Sequence, residues 1–296
     1  MNKCLSCPRK CNIDRTVNVG FCGEKSLRVS HFMLHHWEEP LISGTEKDKG
    51  SGTIFFSGCN LKCVYCQNFE ISNNGVGKEI SVDELIELFK KIENAGALNI
   101  NLVTPTHFSA EIIDALKKYK PTIPVVWNTS GYESVEIIEQ LNGLVDIFLT
   151  DLKYYSNELA LKYSSAKDYF KIASESIIKM REIVGDDEID GGLMKKGVII
   201  RHMVLPNCSE DSVEILEWLN KNIGKETYIS IMNQYLPCYM TDKFPEINRK
   251  VKPIEYKRVV NKAISLGFKN LFIQESSSSS VDYIPNFKDF DWNAPL

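Results

Sequence analysis

Cys59, Cys63 and Cys66 fall within eight positions, in the stretch SGCNLKCVYCQN, with no histidine or fourth cysteine beside them. Structural zinc takes four tetrahedral ligands, and catalytic zinc usually draws on histidine or carboxylate as well as sulfur. This loop offers only sulfur, and only three times. An iron-sulfur cube held by three thiolates keeps one iron without a protein ligand, and that iron can bind a small molecule. The pattern points to a working coordination site; buried thiols or an incomplete zinc site are the alternative.

Six further cysteines stand outside the loop. Cys4, Cys7, Cys11 and Cys22 offer four thiolates, enough to close a zinc site or to hold a second cluster. Zinc knuckles usually show two C-x2-C pairs, whereas this set has a single pair followed by wider gaps, which inclines it toward iron-sulfur. Cys208 in VLPNC and Cys238 in YLPC each follow a proline near a strand end. At least one of them is expected to meet the substrate or the N-terminal module, against the plainer reading of inert buried thiols. HHWEEP, at 35–40, offers histidine and glutamate but alternates poorly for joint ligation, and reads as a packed edge that at most shapes a cavity.

The elements that must position these groups alternate along the chain. After GTIFFSG come the short apolar runs NINLVTP, PVVWNTSG, VDIFLTDLK, GVIIRHMVLP and YISIMNQYLP, separated by amphipathic segments such as SVDELIELFKKIENAG and SVEILEWLNKNIG. Strands that are continuously apolar and β-branched suit a parallel sheet covered on both faces. About six such units, with an extra strand at NLFIQ, predict an α/β fold with an open, partial barrel rather than the closed eight-stranded one. Ser81 with Glu84 three positions on predicts a capping box, and Gly96 marks that helix's end.

In such folds the carboxyl ends of the strands carry the site. There the sequence places Cys59, then Thr104 and His107, Asn128 and Thr129, Asp151 and Lys153, His202, and Gln234 with Tyr235. Residues two apart on a strand share a face, so Asp151 and Lys153 are expected to turn inward together, joined by His202 from the next strand. A charged pair inside an apolar barrel is costly unless a partner or a polar ligand satisfies it, and an internal salt bridge without a ligand is the bland reading.

A chain of 296 residues, 43% hydrophobic and 25% charged with a formal charge of -4, has the composition of a globular protein and no long basic run for nucleic acid. Its N-terminus lacks the apolar core of a signal peptide, and no run approaches the roughly eighteen apolar residues of a membrane span. A cytoplasmic location is expected, with no membrane or nucleic-acid partner. In that reducing compartment nine cysteines do not suggest a disulfide framework. The expected organisation is a cysteine-rich module and linker over 1–45, the barrel over 46–275, and a tail over 276–296 that opens with a serine run at 276–280.

The C-x3-C-x2-C motif directly after the first barrel strand, with Tyr65 just before its last cysteine, resembles the radical S-adenosylmethionine superfamily. CLSCPRKCN, GSGTIFFSGCNLKCVYCQNFEIS, INLVTPTHF, DLKYY and QYLP look like proteins similar to the pyruvate formate-lyase activating enzyme. The resemblance implies a partial (β/α)6 TIM barrel of the radical SAM type with a small N-terminal cysteine-rich metal-binding appendage. It implies a 4Fe-4S cluster on Cys59, Cys63 and Cys66 that binds S-adenosyl-L-methionine. Reductive cleavage of that molecule gives methionine and a 5'-deoxyadenosyl radical, which takes a hydrogen atom from the substrate.

By the same resemblance Tyr65 lies beside the adenine, Asp151 and Lys153 near the methionine moiety, and His202 on the ribose side, while Asn128 and Thr129 line the same cavity. Activating enzymes carry a glycine-rich GGEP after the second strand to receive the methionine amino group. This chain has VTPTHF, where Thr104 and Thr106 are expected to substitute through hydroxyl or carbonyl groups. An electron donor such as flavodoxin or ferredoxin, and a glycyl radical enzyme or another peptide as substrate, are the implied partners. A small metabolite or ribosomal peptide is the alternative substrate, and a non-catalytic iron-sulfur or zinc scaffold the alternative class.

Overall fold

The computed structural model describes residues 3–274 together with Trp292 and Leu296. The serine run at 276–280, and the expected tail apart from those two residues, lie outside the described residues. Two strands and a short helix open the barrel region: β1 (Arg28–His35), α1 (Pro40–Ser43) and β2 (Ser51–Phe56), followed by α2 (Phe69–Asn73) and β3 (Lys78–Glu79). Then come α3 (Val82–Asn94), β4 (Ile100–Val103), α4 (Ser109–Lys118), β5 (Val125–Thr129), α5 (Val135–Gln140) and β6 (Ile147–Asp151). After α6 (Asn157–Ser164), α7 (Tyr169–Val184) and β7 (Glu188–Asp190), the chain closes with β8 (Leu193–Met203), α8 (Ser209–Asn222), β9 (Tyr228–Met232), α9 (Pro253–Leu266) and β10 (Leu271–Ile273).

The strands form one sheet in the order β10-β9-β8-β6-β5-β4-β2-β1-β3, with β7 paired to β8. From β2 to β10 every neighbouring pair on that path is parallel, while β1 joins β2 and β3 antiparallel. The sheet thus has edges at β10 and β3 among the described residues, the open α/β arrangement expected from the sequence rather than a closed eight-stranded barrel. Helix caps match their sequence signals: Glu84 N–H donates to Ser81 Oγ at 3.1 Å, and Ser81 N–H donates back to the Glu84 carboxylate at 2.8 Å.

The central parallel strands are buried on both faces, and alternation sorts their residues. Trp127, Phe148, Leu152, Val198 and Ile200 point outward into the core shared with the helices. Val126, Ile147, Leu149 and Ile199 point inward and form a separate apolar layer with Met194 and with Ile42 of α1. That layer closes the amino end of the barrel. α1 is held there by Asn99, whose side-chain amide donates to the Ile42 carbonyl at 2.7 Å and whose carbonyl accepts the Ser51 hydroxyl at 2.7 Å. Although β1 and α1 fall within the expected 1–45 module, β1 is hydrogen-bonded into the barrel sheet and α1 is packed into its floor. The cysteine-rich segment proper lies before Arg28.

Candidate active site

Above the apolar floor the barrel opens into a cavity of about 580 Å³, within the range that holds small-molecule ligands. Its wall includes Cys63, Tyr65 and Cys66 from the loop after β2, Asn128, Asp151, Lys153 and Arg201 from the central strands, and Glu38 from the segment between β1 and α1.

The cysteine loop is fixed along its length by main-chain bonds. Val64 N–H donates to the Tyr163 carbonyl at 2.8 Å, Met240 N–H to the Val64 carbonyl at 2.9 Å, and Gly58 N–H to the Ile71 carbonyl at 2.9 Å. Gly58 opens the loop at φ +78°, and a Cβ there would come within 2.8 Å of the Cys22 carbonyl, so the turn requires glycine. Each thiol also has a donor beside it. Leu61 N–H reaches Cys59 Sγ at 3.3 Å, the Ser164 hydroxyl donates to Cys63 Sγ at 2.9 Å, and Ser72 Oγ lies 3.3 Å from Cys66 Sγ.

These residues fit a cluster. The donor set is soft sulfur alone, three free thiols on one short loop, which suits an iron-sulfur centre rather than a four-ligand zinc site. Burial pushes the Cys59 thiol up to about 12 and Cys66 to about 11. Burial also raises Cys63, against the opposing charge of Lys153. A bound cationic centre favours the thiolate forms that such burial disfavours, and its binding releases protons.

Opposite the loop, Asp151 sits between two cations. Lys153 Nζ donates to one carboxylate oxygen at 2.5 Å and Arg201 Nε to the other at 2.9 Å. Arg201 also donates to Asn128 Oδ1 at 2.7 Å and to Glu38 at 3.2 Å, and Asn128 Nδ2 donates to the same Glu38 carboxylate at 3.3 Å. Burial pushes the Asp151 carboxyl up, but Arg201 and Lys153 outweigh it and hold it below the ordinary carboxylate value. For Lys153, burial lowers the ammonium while Asp151 and Cys63 raise it further. The network keeps fixed charges of both signs around the cavity.

Tyr65 lines the cavity, while its hydroxyl lies 2.5 Å from the Tyr154 hydroxyl, which in turn meets Ser164 Oγ at 2.7 Å. Through Ser164 this chain of hydroxyls ends on Cys63.

Four expected site residues stand elsewhere. His202 follows Arg201 on β8, and alternation turns it outward, where its ring nitrogens meet the Leu152 carbonyl at 2.7 Å and Ser212 Oγ of α8 at 2.8 Å. Burial lowers its pKa to about 4, so it is a neutral tie between sheet and helix. Thr129 follows Asn128 and likewise turns outward, donating to the Glu133 carboxylate that also accepts from Thr106 at 2.6 Å and Trp127 at 3.1 Å. Thr106 thus faces Glu133 as well. Thr104 lies one position past Val103, which does line the cavity; its backbone is left-handed at φ 59° and its N–H donates to the Asn128 carbonyl at 2.9 Å.

Cys208 is buried in the main core at the start of α8. Cys238 packs behind the cysteine loop, its thiol 3.5 Å from the Tyr65 carbonyl and 3.6 Å from that of Cys66. Neither lines the cavity.

Sequence reasoning passed over Arg201 and the inward role of Glu38. A signal for the first was present: a permanently charged side chain in a strand buried on both faces finds partners only in a polar interior, so Arg201 rather than His202 had to face inward.

The Radical SAM superfamily model matches residues 53–219. An uncharacterized protein of Methanocaldococcus jannaschii is 34% identical over 88% of this chain and 74% of its own length. The pyruvate formate-lyase-activating enzyme of Clostridium pasteurianum is 26% identical over 60% of this chain and 73% of its own. Among solved structures, Streptococcus suis SuiB bound to precursor peptide SuiA aligns with a TM-score of 0.50 at 12% identity, covering 79% of this chain. This chain spans about half of SuiB, 51%, and that likeness is one of fold. With the motif, the open barrel and a family match over more than half its length, the chain belongs to the radical SAM superfamily, whose members use a 4Fe-4S cluster and S-adenosylmethionine.

Proposed function

We propose that this protein cleaves S-adenosylmethionine reductively and uses the resulting 5'-deoxyadenosyl radical to abstract a hydrogen atom from a protein or peptide. Cys59, Cys63 and Cys66 would hold the cluster, which supplies one electron and an iron site for the methionine end of the bound molecule. The observation that carries the reading is the union of two of the loop's three thiols with fixed charges around one cavity: Cys63, Cys66, Asp151, Lys153 and Arg201 all line it.

Within that cavity the roles follow from charge. Lys153 and Arg201 present cations to a carboxylate, and Asp151 and Glu38 present acceptors to an amino group. Tyr65, Met203 and Met232 give apolar wall, and Asn128 an amide that both donates and accepts. Tyr65 offers an aromatic wall suited to a purine ring. Thr104 holds a left-handed turn just past Val103, and it does not line the cavity.

A protein substrate is supported by the names of several curated relatives, which are pyruvate formate-lyase activating enzymes at 22% to 26% identity, and by a putative glycyl-radical enzyme activating enzyme at 32% over 36% of this chain. A glycyl radical enzyme as the partner and a flavodoxin or ferredoxin as the electron donor complete the reading.

The test is anaerobic reconstitution followed by assay for 5'-deoxyadenosine from S-adenosylmethionine and a chemical reductant. Formation that stops when Cys59, Cys63 and Cys66 are each changed to alanine supports the initiation chemistry; formation that continues overturns it. Anaerobic capture of a large glycyl-radical partner, with a radical signal appearing on that partner, supports the substrate class, and an unlabelled partner counts against it.

A further inference from the structure

Residues 3–27 contain no helix or multi-residue strand, only an isolated pairing of Lys3 with Asp14. Yet the segment folds back on itself around its cysteines. Cys4 N–H donates to the Ile13 carbonyl at 2.8 Å, Asn12 N–H to the Cys4 carbonyl at 3.1 Å, and Lys10 N–H to the Cys7 carbonyl at 3.0 Å. Lys10 and Asn12, on either side of Cys11, both hold left-handed backbone, at φ 41° and 56°. So short a stretch without its own apolar core needs some other centre to hold such turns.

The four thiols are free, and the backbone gathers their positions: Phe21 N–H, next to Cys22, reaches Cys11 Sγ at 3.4 Å, and Cys4 pairs with Asn12 and Ile13 just past Cys11. They nevertheless do not converge on a single ion, which is equally true of Cys59, Cys63 and Cys66. The same segment carries unmet buried donors: Nε and Nη2 of Arg15 and Nη2 of Arg9 are buried without a hydrogen-bond partner. An unmet buried donor costs about 1–3 kcal/mol, and anionic sulfur would satisfy it.

The segment is also fastened to the first cysteine loop. Cys59 N–H donates to the Cys22 carbonyl at 3.4 Å, and Arg9 reaches the Asn60 carbonyl at 2.8 Å and the Ser165 carbonyl at 2.6 Å. Arg15 Nη1 donates to the His107 carbonyl at 2.6 Å.

We infer that Cys4, Cys7, Cys11 and Cys22 form a second iron-sulfur site, separate from the family's own and in direct main-chain contact with it through Cys22 and Cys59. Three closely spaced cysteines followed by a remote fourth is an arrangement of iron-sulfur proteins, whereas zinc knuckles are built from two close pairs. With all four corners held by protein, the site is suited to storing single electrons rather than binding substrate.

The decisive measurement is metal content and electron paramagnetic resonance on the full chain, reconstituted anaerobically with iron and sulfide and reduced. The wild type is expected to carry about eight iron atoms per chain, and about four should remain in a Cys59→Ala, Cys63→Ala, Cys66→Ala variant. The signal that remains should not respond to S-adenosylmethionine, while the wild-type spectrum should show interaction between two neighbouring paramagnets. Cys4→Ser with Cys7→Ser should leave about four irons and a signal that does respond. Zinc in place of iron at the N-terminal set, or no more than about four irons in the wild type, overturns the inference even if one variant fails to fold. Failure of the proposed initiation chemistry reads out differently, as a wild-type spectrum unchanged by S-adenosylmethionine with the iron count intact.

Discussion

Asp151 and Arg201 are register partners on adjacent parallel strands, and their side chains meet inside the barrel at 2.9 Å. This pairing links the cavity wall to its floor, because the same guanidinium extends to Asn128 and to Glu38 from the segment preceding α1.

Arg201→Ala should strip Asp151 and Glu38 of their shared cation. Breaking a buried pair by removing one partner typically costs about 3–5 kcal/mol. A large fall in the denaturation midpoint is expected, together with loss of 5'-deoxyadenosine formation. Without Arg201 the Asp151 carboxyl should rise, since it is now held low against burial. A group with a depressed folded pKa contributes stability above its unfolded pKa and loses it as pH falls through the folded value. The variant should therefore show a weaker loss of stability in acid than the wild type, measured by denaturant titration from neutral pH downward.

Glu133 predicts the opposite slope. Burial raises its carboxyl to about 7 although Thr106, Thr129 and Trp127 donate to it, and its second oxygen has no partner. A raised folded pKa gives stability present below the unfolded value, near 4.5, and lost as pH rises through about 7. Glu133→Gln should remove that dependence, so the variant gains on the wild type between pH 5 and 8, by up to roughly 3 kcal/mol. Parallel stability curves for the two proteins would refute the assignment.

His202→Ala should lower stability by about 1–3 kcal/mol, the cost of leaving its two buried partners unmatched. Its effect on the KM for S-adenosylmethionine should be small, because the ring lies between Leu152 and Ser212 rather than in the cavity. A KM rise with unchanged stability would place the imidazole at the ligand after all.

Ser164→Ala removes the hydroxyl that donates to Cys63 Sγ at 2.9 Å and lets go of Tyr154. Hydrogen bonds to ligand sulfur stabilise the more negative, reduced form of a cluster. A more negative midpoint potential in a redox titration, with slower 5'-deoxyadenosine formation, is the expected result.

Much of this protein is legible without coordinates. The spacing of Cys59, Cys63 and Cys66 states its own chemistry, because three thiolates in one short loop suit few centres. The parallel strands announce themselves by unbroken apolar runs, since a strand covered on both faces has no polar side to show. Local rules carry such features: a capping box, a loop after a strand, two residues sharing a face.

What the tertiary structure decided is which face that is, and what arrives from a distance. Sequence alone does not always set the phase of a strand buried on both sides: the permanent charge of Arg201 is a signal on β8, but Thr129 reads as well as its neighbour Asn128 until the sheet's alternation separates them. Glu38 reaches Arg201, 163 positions away, only because α1 plugs the barrel floor. Cys22 meets Cys59 because Gly58 lets two main chains approach. Those contacts depend on three-dimensional closure, which no local pattern of residues encodes.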